Sequence, residues 1–274
     1  MHILVTNDDG IDSPGLWALA RAMQHLGKVM VVAPDRQQSG VGTSVSLHHA
    51  MQIDEVEPPV PGALAYAVRG TPSDCVILAI RHLAQGRRYG LLVSGINLGA
   101  NVGHDIPYSG TVMATLQGYL RRIPSMAVSL ATFERDEVPD FTVGAMVAEF
   151  LARQMLAGEI PTDSIINANV PNIPLAEIKG VVTTRAAATA FLRASAVTSD
   201  GGLRYSLQAR HRGHKLAGQA VDLPEPGTDI WAIHQGMVSI TPVRIDVTDH
   251  GLIPKLEPHA AALQAELFRR RGGA

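Results

Sequence analysis

The first thirty or so residues restrict this chain to one broad class of fold. A short β-rich run, His-Ile-Leu-Val-Thr at residues 2–6, is followed at 14–26 by Leu16, Leu19, Ala20, Met23 and Leu26 at helical spacing. A second buried-looking run then begins at Val29 and reaches Ala33. Pro14 suits the first turn of the intervening helix and Gly27 its end. Two apolar strands joined by a helix within about thirty residues must lie parallel, with a right-handed crossover between them. The same pattern returns with helices at 72–83, 111–122 and 141–156 and strands at 91–94, 126–130 and 165–168. The expectation is therefore an α/β chain with a Rossmann-like, doubly wound and mostly parallel sheet of at least five strands.

Beyond Pro171 the pattern loosens, and residues 177–185, 203–209, 229–234 and 236–241 read as strands or hairpins between Gly- and Pro-rich turns. This is expected to be a β-rich C-terminal excursion on the main body. A terminal helix at 258–271 carries Ala260, Leu263 and Leu267 at helical spacing and ends in Arg269, Arg270 and Arg271, cations that suit its dipole. The linker near 171–174 is too short for an independently mobile second domain. The expected organisation is one domain over 1–274, with a core at 1–171 and C-terminal segments at 172–274.

The composition removes several classes of function. Hydrophobic residues make up 46% of the 274, enough for a substantial core. Lys plus Arg number 23 against 25 Asp plus Glu, so no large basic field invites a nucleic-acid polymer. Cys75 is the single cysteine, which excludes an internal disulfide or a thiolate metal cluster and suits a small buried apolar position. Met1–Val5 offers no basic n-region ahead of an apolar stretch, and no apolar run approaches the ~20 residues of a membrane span, so a cytoplasmic protein without a membrane partner is expected.

In an open parallel sheet, ligands gather outside the carboxyl ends of the strands. The loops there are Asn7-Asp8-Asp9-Gly10 after the first strand, Pro34-Asp35-Arg36-Gln37-Gln38-Ser39-Gly40 after the second, and Gly95-Ile96-Asn97-Leu98-Gly99-Ala100-Asn101 after the 91–94 strand. Adjacent ionised carboxylates at Asp8 and Asp9 repel unless a cation compensates them. Neutral oxygens from Asn and Ser would complete a site for a hard ion, Mg²⁺ or Mn²⁺, rather than zinc. Capping of the first helix is an alternative role, for which Asp12 and Ser13 are better placed. Tyr108-Ser109-Gly110-Thr111, directly ahead of an apolar helix, offers backbone amides, hydroxyls and the positive end of a helix dipole as a phosphate cradle, although Ser109 could serve only as an N-cap. A metal and an anion cradle on one edge point to phosphoryl chemistry.

These blocks, together with Gly70-Thr71-Pro72-Ser73-Asp74-Cys75, Val93-Ser94-Gly95-Ile96-Asn97, Asn167-Ala168-Asn169-Val170-Pro171, Gly227-Thr228-Asp229 and Val238-Ser239-Ile240-Thr241-Pro242, resemble the SurE family of stationary-phase survival proteins. The resemblance runs from residue 1 to about 250 with order preserved. It implies a metal-dependent 5′/3′-nucleotidase that hydrolyses nucleoside monophosphates, and also short polyphosphate, through attack of a metal-activated water on phosphorus. It implies one divalent ion per subunit held by Asp8, Asp9, Ser39 and Asn97, with Asp8 and Asp9 as the catalytic pair. It further implies that Asn101, Ser109, Gly110 and Thr111 bind the substrate phosphate. Homodimers formed by exchange of C-terminal segments, with tetramers as a further stage of assembly, are also carried by the resemblance.

The match has departures. Gly103-His104-Asp105 places a histidine where many members have an acid, read here as a surface residue or a proton carrier. Residues 186–226, with His211, Arg212 and His214, fit loosely and read as a solvated loop or as a wall that selects the substrate. Two other classes of function compete. An aspartyl-phosphate enzyme of the haloacid dehalogenase type would need one residue between its two acids, whereas Asp8 and Asp9 are adjacent. A non-catalytic Rossmann-like nucleotide-binding module, or a dinucleotide enzyme, is opposed by the missing Gly-x-Gly-x-x-Gly, since Gly10 and Gly15 stand alone. His48, His49 and His250 lack the partner spacing of a zinc site.

Overall fold

A computed structural model of the chain describes residues 1–132, 138–189, 192–199, 202–209 and 224–271. Strand β1 (His2–Thr6), helix α1 (Pro14–Gln24) and strand β2 (Lys28–Pro34) form the expected opening unit. They are followed by β3 (Ile53–Glu55), β4 (Leu64–Val68), α2 (Pro72–Leu78), β5 (Tyr89–Leu98), α3 (Gly110–Tyr119), β6 (Ser125–Ala131), α4 (Thr142–Ala157) and β7 (Ile165–Pro171). The remaining elements are β8 (Gly180–Thr183), β9 (Leu192–Ser199), β10 (Gly202–Ala209), α5 (Asp229–His234), β11 (Met237–Val243) and α6 (Ile253–Arg271).

Among the described residues a nine-stranded sheet has the order β3-β4-β2-β1-β5-β6-β7-β11-β8. From β4 across to β7 all neighbours are parallel, whereas β3 on β4 and β11 on β7 are antiparallel. The chain order reverses about β1, which lies between β2 and β5, so ligands are expected at the carboxyl ends of these strands. The central strands are buried almost throughout, as a sheet covered on both faces requires, with successive side chains pointing to opposite layers. Ile3, Val5, Val29, Val31, Leu91 and Val93 pack with α1 and α4 residues such as Leu16, Leu19, Met23 and Leu151. Leu4, Met30, Val32 and Leu92 face the other way, against Cys75, Val76 and Ala114 of α2 and α3. Each fully buried Leu or Ile contributes about 1.5–3 kcal/mol, so this double layer is what holds the carboxyl edge rigid.

Several sequence expectations change. Residues 229–234 form α5 rather than a strand: the β-branched Ile230 and Ile233 suggested extension, but they lie three apart and both are buried on one helical face, with Thr228 capping the Trp231 N–H at 3.2 Å. The short, alanine-bearing β4 and its edge neighbour β3 were not anticipated. The α-helix starting at Pro72 ends at Leu78 and continues as a π turn over Ala79–Leu83. Strand β5 runs on to Leu98, past the expected loop boundary, with an irregular register against β6 between Ser94 and Asn97. In the C-terminal half, β11 and β8 extend the main sheet, while β9 and β10 pair as a separate antiparallel hairpin. His211, Arg212 and His214 lie outside the described residues.

The chain divides into two compact units, Met1–Val243 and Arg244–Ala274. The second contains α6, which begins earlier than the sequence suggested and includes Pro258. Its Glu266 pairs with Arg269 and Arg270, and Asp246 pairs with His250 at 2.8 Å. Leu256, Leu263, Leu267 and Phe268 are exposed on it. No helix among the described residues is long and apolar enough to cross a membrane.

Candidate active site

The turn after β1 is closed by its own asparagine. Asn7 Nδ2 donates to the Gly10 carbonyl at 2.9 Å and Asn7 Oδ1 accepts the Gly10 N–H at 3.3 Å, holding Asp8 and Asp9 between them. The neighbouring loops are stitched to this turn through backbone. The Gln38 N–H donates to the Asp8 carbonyl at 2.7 Å, and the Leu98 N–H donates to Asp9 Oδ2 at 3.0 Å. Asp8 is only 4% exposed. Burial pushes its carboxyl up to about 7; the Thr111 hydroxyl, donating to Asp8 Oδ1, opposes this, and the charge of Asp9 adds to it. Burial raises Asp9 as well, against the pull of the Leu98 N–H. Both groups ionise against resistance, and a cation beside them would favour the charged forms.

Ser39 and Asn97 flank this pair through their immediate neighbours Gln38 and Leu98. Ser39 is exposed and its Oγ accepts from Gln37 Nε2 at 3.0 Å. Asn97 Nδ2 donates to the Gly99 carbonyl at 2.7 Å, which leaves its Oδ1 available as a ligand. Among the described residues no three His, Cys, Asp or Glu side chains come together as a metal cluster. A metal placed here would meet two carboxylates and neutral oxygens, a donor set suited to a hard divalent ion.

Helix α3 meets Asp8 directly. A Cβ on Gly110 would fall 2.8 Å from Asp8 Cβ and 2.9 Å from Asp8 Oδ2, so only glycine lets the start of α3 come this close. Ser109 does cap the helix, accepting the Val112 N–H at 3.1 Å, and keeps its own proton to donate. Thr111 turns both its hydroxyl and its backbone N–H towards the Asp8 carboxylate, so it ties the start of α3 to that acid. What the sequence presented as two features is one constellation. Gly110→Ala is accordingly expected to cut phosphate release at least ~100-fold while lowering stability by about 1–3 kcal/mol, an overpacking cost; a phosphate-release assay beside a thermal melt separates the two effects.

Asn101 is buried and its backbone is held from two sides. Its N–H donates to Asn169 Oδ1 at 2.8 Å, and its carbonyl accepts from Asn167 Nδ2 at 2.8 Å and Asn169 Nδ2 at 3.0 Å. Asn101 Nδ2 donates to Ser129 Oγ at 2.8 Å and retains a second hydrogen. The sequence reading did not assign this role to Asn167 and Asn169; two amides at i and i+2 in a strand that is otherwise buried and apolar were the signal. Asp74 was also missed. Its carboxylate accepts Ser46 N–H at 3.0 Å, Ser46 Oγ at 2.7 Å and Thr71 N–H at 2.8 Å, anchoring the segment that follows Ser39. His104 is exposed, and its backbone N–H donates to the Thr189 carbonyl at 2.9 Å. Cys75 is fully buried, as expected.

A family model described as survival protein SurE matches residues 3–192. The chain belongs to the SurE family. It is similar to the 5′-nucleotidase SurE of Dehalococcoides mccartyi strain CBDB1, 43% identical over 242 residues that cover 88% of either chain. It is likewise similar to the 5′-nucleotidase SurE of Geobacter metallireducens, 40% identical over 261 residues, or 94% of this chain and 96% of the relative. The crystal structure of the SurE protein from Aquifex aeolicus superimposes with a TM-score of 0.78 and 35% identity, covering 95% of this chain and 100% of that one. SurE membership thus extends over the sheet, the carboxylate turn and the start of α3 together.

Proposed function

We propose that this chain hydrolyses nucleoside 5′-monophosphates, and 3′-monophosphates beside them, at the carboxyl edge of its sheet, with Asp8, Asp9, Ser39 and Asn97 holding one Mg²⁺ or Mn²⁺ per subunit. As a SurE-family member whose relatives are named 5′-nucleotidases, it is a metal-dependent 5′-nucleotidase. The observation that carries the assignment of residues is the contact of Asp8 with Gly110 and Thr111, which sets a cation-seeking carboxylate against the start of a helix. When bound, the ion supplies Lewis-acid polarisation and a water of lowered pKa. Ser109 donates its hydroxyl to a phosphoryl oxygen, the Gly110 amide holds another, and the spare Asn101 Nδ2 hydrogen a third, while Thr111 completes the cradle by fixing Asp8 beside it. One of the two aspartates takes the proton from the attacking water, and the nucleoside departs from the opposite side of phosphorus. A binding module without catalysis finds no support among the relatives, which are named 5′-nucleotidases.

The decisive experiment is phosphate release from a panel of nucleoside 3′- and 5′-monophosphates and short polyphosphate, run with Mg²⁺, with Mn²⁺ and with chelator. Activity is expected with at least one metal and is expected to disappear on chelation; silence with every metal would sink the enzyme assignment. For the C-terminal segments 172–274, the reading is exchange between two copies, with tetramers as a further step, in a cytoplasmic protein. The exposed Leu256, Leu263, Leu267 and Phe268 of α6 support it, because a single helix leaving that face uncovered favours a partner. Light scattering is expected to give a dimer or tetramer, and removal of residues 244–274 is expected to give a monomer. A full-length chain that stays monomeric at tens of micromolar would overturn the assembly.

A further inference from the structure

Asp229 takes no part in the chemistry described above, yet it is a fully buried carboxylate that reaches three separate pieces of chain. Its Oδ2 accepts the Gly103 N–H at 2.8 Å, while its Oδ1 accepts the Ala187 N–H at 3.0 Å and the Ile230 N–H at 2.8 Å. Burying a carboxylate costs several kcal/mol unless its lone pairs are filled, and α5 already has a neutral cap in Thr228, so capping does not account for a carboxylate at 229. What only a carboxylate provides is two acceptor oxygens and no donor. One oxygen serves α5 and the segment ending at Thr189; the other serves Gly103, in the loop between Asn101 and Ser109.

A second contact runs beside it. The His104 N–H donates to the Thr189 carbonyl at 2.9 Å. A Cβ on Gly103, whose φ is +55°, would stand 2.5 Å from that carbonyl oxygen and 2.9 Å from the carbonyl of Ala187. The 101–109 loop is thus pressed onto the 187–189 segment, and Asp229 fastens the two from beneath. That segment leads on towards the β9–β10 hairpin.

We infer that Asp229 is a positioning residue for phosphate recognition: it sets the distance between Asn101 and Ser109 by fixing Gly103, and locks that loop to the segment leading into the β9–β10 hairpin. This rests on the reading that Asn101 and Ser109–Thr111 hold the phosphate. The metal ligands Asp8, Asp9 and Ser39 lie on other loops, and Asn97 sits upstream of the clamp near the end of strand β5, held by its pairing in the sheet, so the clamp governs phosphate affinity without governing metal affinity. Asp229→Asn isolates the effect. Its remaining oxygen can still serve Ala187 and Ile230, but its NH₂ faces the Gly103 N–H, donor against donor.

The test measures Mn²⁺ binding by calorimetry, inorganic phosphate binding to the Mn²⁺-loaded protein, and KM and kcat for a nucleoside 5′-monophosphate, in wild type, Asp229→Asn, Gly103→Ala and the double variant. Asp229→Asn is expected to weaken phosphate binding and raise KM about tenfold, with the Mn²⁺ dissociation constant within twofold of wild type. Gly103→Ala opens the same contact from the other side, so the double variant is expected to be no worse than the poorer single one. Should Asp229→Asn fail to fold, Gly103→Ala carries the test alone. Unchanged phosphate binding in a folded variant, or equal losses of metal and phosphate affinity, would overturn the inference. Ser109→Ala measured alongside separates the two levels: if it leaves phosphate binding untouched, the cradle itself is wrong, whereas its loss with Asp229→Asn unaffected condemns only the clamp.

Discussion

Asp9→Asn is expected to lower kcat for phosphate release from a nucleoside 5′-monophosphate by about three orders of magnitude or more, with the protein still folded. The substitution keeps the shape of the side chain and an oxygen to accept the Leu98 N–H, so the backbone tie from β5 survives. It removes half of the negative charge that would hold a divalent ion, and with it the polarisation on which the reaction depends. Because burial already resists ionisation of Asp9, the neutral amide relieves a desolvation cost, and the metal-stripped variant is expected to melt no lower than stripped wild type. Steady-state kinetics at saturating Mn²⁺ and a melting curve with chelator check both halves. Wild-type turnover in a variant shown to be folded would remove Asp9 from the site.

The second large effect concerns the metal-stripped protein and pH. Asp8 ionises near 3.8 in the unfolded chain and at about 7 in the folded one. Its raised folded value means that the native state binds the proton more tightly, so its contribution to stability is complete below about pH 4, is lost as the pH rises towards 7, and is constant above that. A shift of this size at a group 4% exposed corresponds to on the order of 4 kcal/mol. Chelated wild type is therefore expected to lose that much stability between pH 4 and 8 relative to chelated Asp8→Asn, which has no proton to lose. Urea unfolding of both proteins across this range measures the difference. Restoring Mn²⁺ at pH 8 to 100 times its dissociation constant should return about 2.7 kcal/mol to wild type and little to the variant. Parallel pH profiles for the two chelated proteins would show that Asp8 is not the buried acid described.

The fold was legible where chemistry and periodicity coincide locally. The alternation of Ile3, Leu4 and Val5 between the two faces of the sheet, and the spacing of Leu16, Leu19 and Met23 on α1, are properties of near neighbours in sequence. Where local preference and tertiary context disagreed, context won. Ile230 and Ile233 look like strand residues, yet they sit in α5 because Thr228 caps it and both pack inward on one helical face. Residues 64–68 carry too little β-branched character to announce a strand, but the free edge of β2 gives them a ladder to complete. Asn97 was read as a loop residue; it lies at the end of β5, where the register against β6 slips.

For the site, the adjacent acids of Asp8-Asp9, the oxygen-bearing loops and the Ser109-Gly110-Thr111 helix start could be recognised by type and position, because a parallel sheet sends every strand's carboxyl end to the same edge. Their mutual contacts could not. The hydroxyl of Thr111 meets Asp8 across 103 residues, and the carboxylate of Asp229 meets Gly103 across 126. Nothing local distinguishes either from a solvated polar group. The sequence by itself determined which elements form and which loops face the ligand edge, since those follow from short-range periodicity and the handedness of the crossovers. Only the tertiary structure decided which of those loops touch, because that depends on the order of strands in the sheet and on the closeness that a residue without a side chain, Gly110, allows between α3 and Asp8.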